Sequence, residues 1–139
     1  MRILLFICCL FTNALAYGQQ LITTNNLKKQ YSPKAVISFE IMPKSSDTLY
    51  LSTGLEMLTD KGWIEITNDI SKPSFASKRI EVLCLTKIEK VKCDLNKLAL
   101  YNRKQPLKGT YRFSYNIGYS ISQLDDESLK DHSPEFIIQ

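Results

Sequence analysis

One stretch near the C-terminus constrains this chain more than any other. From Thr110 to Tyr119, the residues Tyr111, Phe113, Tyr115, Ile117 and Tyr119 alternate with Arg112, Ser114 and Asn116. Side chains of an extended backbone point to opposite faces at every second position, so this pattern requires a strand with one buried face and one wet face. A helix would spread the same aromatics around its whole circumference. The period recurs upstream, where Ala35, Ile37, Phe39 and Ile41 alternate with Val36, Ser38, Glu40 and Met42. The first set is the more apolar and is expected to face the core. Pro43 closes the run, because it cannot donate to a ladder.

Further runs of the same kind fill the chain between turn residues. Thr48–Ser52 and Leu55–Thr59 read as two strands interrupted at Thr53-Gly54. Asp60-Lys61-Gly62 is a short glycine-containing loop, and Trp63–Thr67 is its hairpin return strand. Ile80, Val82 and Cys84 form another run, Ile88–Cys93 the next, and Glu135–Ile138 a last strand expected beside the tyrosine-rich one. Leu95, Leu98 and Ala99 offer the single helical spacing. Asn68–Ser77, Arg103–Pro106 and Gln123–Pro134 read as loops. Seven to eight short strands with no long helical pattern describe an all-β, antiparallel two-sheet sandwich.

The start of the chain reads as an address. Met1 and Arg2 precede an apolar run from Ile3 to Phe11, and Ala14-Leu15-Ala16 and Ala16-Tyr17-Gly18 both fit a small-x-small cleavage rule. Residues 1–18 are therefore expected to be a signal peptide, too short to span a bilayer. Lipid attachment fits poorly, since Ile7 precedes Cys8 and Cys8 precedes Cys9. The chain is expected to be exported: periplasmic, cell-surface or secreted. Residues 19–33, rich in Gln, Thr, Asn and Lys, read as a polar linker with an irregular first strand near Leu21-Ile22. The domain is expected over residues 34–139. Losing the leader removes Arg2 and lowers the formal net charge of +4 to +3. It also leaves Cys84 and Cys93 as an even pair, which in an exported chain favours a disulfide over two buried thiols.

Trp63 after its turn, the stretch Leu107-Lys108-Gly109-Thr110-Tyr111-Arg112-Phe113, and the terminal Glu135-Phe136-Ile137-Ile138 together resemble the bacterial immunoglobulin-like domains of exported proteins. The resemblance spans about residues 34–139. It implies an immunoglobulin-like sandwich in which Gly109 turns the corner, Tyr111 caps it with its hydroxyl, and Phe113 stands where antibody domains carry a cysteine. It also implies an extracellular or periplasmic module, with no particular ligand. Trp63 is expected to pack against the sheet in preference to stacking on a ligand.

Chemistry is sparse. The single histidine, His132, sits between Asp131 and Ser133 in an acidic stretch and reads as a solvated loop residue. No zinc ligand set can be assembled, and Asp125-Asp126-Glu127 lacks calcium-loop spacing. No cofactor, metal or catalytic residue is expected. One charge pattern remains: eleven Lys or Arg lie between Lys72 and Arg112 against Glu81, Glu89 and Asp94. Most such runs are solvated faces; a functional version would be a basic face of Lys87, Lys90, Lys92 and Arg112 for an anionic glycan, lipid headgroup or envelope protein. Nucleic acid is not expected of an exported chain. The reading is a non-enzymatic interaction module, with a structural accessory of another envelope protein as the alternative.

Overall fold

The computed structural model describes residues 20–71, 81–101, 108–126 and 129–139. The expected signal peptide and the loop around Phe75 lie outside the described residues. In chain order the elements are β1 (Ile22–Asn25), β2 (Gln30–Tyr31), β3 (Val36–Pro43), β4 (Leu49–Thr59), β5 (Gly62–Thr67), β6 (Leu83–Leu85), β7 (Glu89–Asp94), α1 (Leu95–Tyr101), β8 (Gly109–Gly118), α2 (Gln123–Asp126), β9 (Leu129–His132) and β10 (Phe136–Ile138). A small sheet runs β1-β3-β7 and a large one β2-β10-β8-β4-β5, with β6 also on β4 and β9 also on β8. Every pair is antiparallel except β2 with β10, which is parallel.

The alternation of β3 and β8 explains why these sheets face each other. Ile37, Phe39 and Ile41 from one side meet Tyr111, Phe113, Tyr115 and Ile117 from the other, and all are buried. Phe39 stacks on Phe113 at 4.4 Å between ring centroids, which joins the two sheets at the centre of the core. Phe113 in turn stacks on Phe136 at 5.2 Å. Each such side chain contributes about 1.5–3 kcal/mol by leaving water. Tyr119, expected on this inner face, follows the end of β8 and is exposed.

Several expectations are corrected. Thr53-Gly54 does not break a strand: β4 runs through it, with a register shift at Leu55/Glu56. Gly54 is required because a Cβ there would sit 2.7 Å from both the Thr67 carbonyl oxygen and Ser114 Oγ. The expected linker of residues 19–33 contains β1 and β2, and Ile22 is fully enclosed in the core. Its polar composition is that of an edge strand, whose Thr23 and Asn25 face outward while Ile22 and Thr24 face in. The expected acidic loop contains α2 and β9.

Cys84 and Cys93 are both free. β6 and β7 do not form a hairpin. β6 pairs with β4 in the large sheet, Tyr50 opposite Cys84, whereas β7 pairs with β3 in the small sheet, Ile37 opposite Cys93. Leu85 takes a fully buried position on β6, so Cys84 points to solvent.

The corner is half as expected. Gly109 adopts φ 150°, a conformation that suits only glycine, and the Tyr111 ring is buried against Phe136. The Tyr111 hydroxyl has no hydrogen-bond partner among the described residues. The hydroxyl that is tied down belongs to Tyr115, which shares a 2.9 Å hydrogen bond with Thr24 Oγ1 across the two sheets.

Candidate functional site

Two surfaces carry the side chains capable of chemistry, one on the outside of each sheet. On the large sheet the β4–β5 hairpin sets the geometry. Gly62 turns at φ 101° and Thr59 Oγ1 donates to the Gly62 carbonyl at 2.8 Å, which fixes Trp63 opposite Leu58. The register of β4 with β8 places Arg112 opposite Glu56, and β9 brings His132 opposite Ser114. Arg112 Nε donates to Glu56 Oε2 at 2.7 Å, and its Cζ lies 4.1 Å from the centre of the Trp63 ring. His132 Nε2 approaches the same Glu56 oxygen at 3.5 Å. Burial, and then the neighbouring Arg112, hold the His132 pKa below its ordinary value despite Glu56 and Asp131.

This arrangement is internally satisfied. The guanidinium covers one face of the indole, as expected of a packed tryptophan, and its charge is matched by Glu56. His132 is not the solvated loop residue expected from the sequence: it lies on β9, a four-residue strand too short and too polar to show an alternation. Arg112 is likewise removed from the expected basic face. It projects from the large sheet, whereas Lys90 and Lys92 project from the small one, so the sandwich separates them.

The second surface is β7. Val91 and Cys93 point into the core, while Lys90 and Lys92 are exposed on the outer face. Lys87 is exposed in the connection from β6. The register sets Lys90 opposite Glu40 and Lys92 opposite Ser38, so an acid does stand beside the lysines. Its carboxylate, however, accepts from Asn26 Nδ2 at 2.9 Å. Neither Lys90 nor Lys92 forms an ion pair among the described residues. Burial, reinforced by Asp94, pushes the Cys93 thiol up to about 12 and leaves it inert.

Along β7 is a cavity of about 120 Å³ whose lining includes Lys90, Val91 and Lys92 together with Asp69, Ile70 and Glu81. Asp69 braces its rim: Oδ1 accepts from Ser71 N at 2.9 Å and Oδ2 from Glu81 N at 2.8 Å. Thr53 Oγ1 is buried and has no hydrogen-bond partner among the described residues. Among the described residues no three His, Cys, Asp or Glu gather to hold a metal, and no helix is long and apolar enough to cross a membrane.

No protein-family model matches the chain, and no curated protein matches it by sequence. Solved structures match in shape. A mutant β-glucosidase from Listeria innocua in complex with laminaribiose superposes with a TM-score of 0.50 at 16% identity, over 88% of this chain and 16% of that one. The Class 5 fimbriae chaperone CfaA superposes with a TM-score of 0.47 at 12% identity, over 84% of this chain and 54% of that one. The chain thus spans a small fraction of the glucosidase and about half of the chaperone. At 16% identity the glucosidase likeness is one of fold alone.

Proposed function

We propose that this chain is an exported, non-enzymatic immunoglobulin-like interaction module whose contacts run through the lysine-bearing strand β7. The observation that carries this reading is the pair Lys90 and Lys92, exposed on one face of the strand that ends the small sheet and without an ion-pair partner among the described residues. Unmatched charge raises the local concentration of an anionic partner. An immunoglobulin-like type is supported by the two opposed sheets, by β10 closing beside β8, and by the glycine-led entry into β8. Export rests on the leader-like residues 1–18. The non-enzymatic reading is supported by the one histidine approaching Glu56, whose carboxylate is already paired with Arg112. The glucosidase likeness covers too little of that enzyme to bring an activity with it.

The test is retention on anionic glycan, anionic vesicles and envelope extract, comparing wild type with the Lys87→Gln, Lys90→Gln, Lys92→Gln triple variant. Wild type should be retained at about 0.1 M salt and released at about 1 M, where the Debye length falls to about 3 Å. The variant should be retained at neither. Equal retention of both proteins, or retention indifferent to salt, would reduce the lysines to a solubilising face.

A further inference from the structure

We infer that the open edge of β7 accepts an extended, acidic segment of a partner polypeptide as a fourth strand of the small sheet. This rests on the interaction-module reading and narrows it to a protein partner. The small sheet ends at β7, which has no neighbouring strand on its far side among the described residues. Its pairing with β3 runs from Glu89 to Asp94 without a register shift, so the edge is regular. A regular edge presents a row of backbone donors and acceptors that another chain can complete.

The side chains specify which strand fits. An added strand alternates its side chains between the two faces of the sheet. Those on the outer face would stand beside Lys90 and Lys92, where a carboxylate supplies the missing partner. Those on the inner face would meet the cavity along β7, where Ile70, Leu83 and Val91 form an apolar wall beside Asp69, Ser71 and Glu81. A second copy of this chain is the wrong occupant. Antiparallel pairing of two β7 edges brings lysines against lysines, and like charges across a ladder repel. Glycan or lipid would meet the charges and leave the backbone edge unused.

The experiment uses the full chain and labelled peptides as long as β7, six residues. One alternates Asp with Val; a second has the same charge with Pro at alternate positions; a third alternates Lys with Val. Fluorescence anisotropy should show binding of the Asp/Val peptide only, with the Pro version weaker by about tenfold or more, since proline cannot donate to a ladder. The Lys90→Gln, Lys92→Gln variant should lose the Asp/Val peptide by a similar factor. Amide exchange across Lys90–Cys93 should slow on binding. Equal binding of the Asp/Val and Pro peptides, unchanged exchange on β7, or no peptide binding would overturn strand addition. Salt-dependent retention on envelope extract, measured on the same protein, separates the outcomes. If it persists while the peptides fail, only strand addition falls; if it fails as well, the interaction reading falls with it.

Discussion

Two tyrosines on one strand, four residues apart in sequence, do different work. Tyr111 contributes its ring, buried against Phe136, whereas Tyr115 contributes a hydroxyl that bridges the sheets to Thr24. Burial raises both phenol pKa values, so neither ionises near neutrality. Tyr115→Phe should therefore destabilise by about 1–2 kcal/mol, because Thr24 loses its partner in a largely desolvated position. Tyr111→Phe should cost under about 0.5 kcal/mol, as its hydroxyl has no hydrogen-bond partner among the described residues. Thermal melting of the two variants decides between them, and equal shifts would break the assignment. The cysteines divide in the same way. Alkylation of the native, unreduced protein followed by peptide mapping should label Cys84, which is exposed, and leave Cys93 unlabelled until the protein is denatured. A Cys84–Cys93 linked peptide would contradict the placement of the two strands in separate sheets.

At the scale of elements, β4 is the strand on which the large sheet depends. It pairs with β5, β6 and β8 along its length, and its continuity requires glycine at position 54. Gly54→Ala would drive a methyl group to 2.7 Å from a backbone carbonyl that cannot swing aside. Overpacking of this kind costs about 1–3 kcal/mol. The melting temperature should fall, and amide protection in β5 should fall with it, because Thr67 belongs to the segment that would be displaced. A variant as stable as wild type would show that β4 and β5 can part at no cost. The same sheet holds β9, whose His132 approaches the Glu56 carboxylate that pairs with Arg112.

For the whole molecule, the boundary of the folding unit is the sharpest issue. β1 fills one edge of the small sheet, with Ile22 enclosed in the core and Thr24 tied to Tyr115. β2 is held parallel to β10, with Ile137 N donating to the Lys29 carbonyl at 2.9 Å. A chain starting at residue 34 loses both strands, so it should give no cooperative melt where a chain starting at residue 20 does. Loss of Ile22 alone corresponds to about 2–5 kcal/mol, a large share of a domain's stability. A sharp, high-temperature transition for the shorter chain would return residues 19–33 to the role of linker.

Reading this fold from its residues worked where the determining contacts are local. The alternation from Tyr111 to Ile117, the glycine at the turn before Trp63 and the helical spacing of Leu95 and Leu98 each record a backbone conformation within a few positions, and each stands in the structure. Period two states that a side chain faces in or out, but not which sheet it belongs to. Cys84 and Cys93 thus share an alternation in the sequence and lie in different sheets. Strands made mostly of polar residues are faint in the sequence, because edge positions need only one or two apolar contacts: β1 shows only as an irregular strand near Leu21-Ile22, and β9 reads as loop. The charge count along residues 72–112 was correct as a sum, yet it pooled Arg112 with lysines on the opposite side of the sandwich. The sequence by itself determined that the chain forms strands with an aromatic interior. Which charges are matched is a matter of tertiary contact, since Glu56 meets Arg112 from 56 residues away while among the described residues no carboxylate pairs with Lys90 or Lys92.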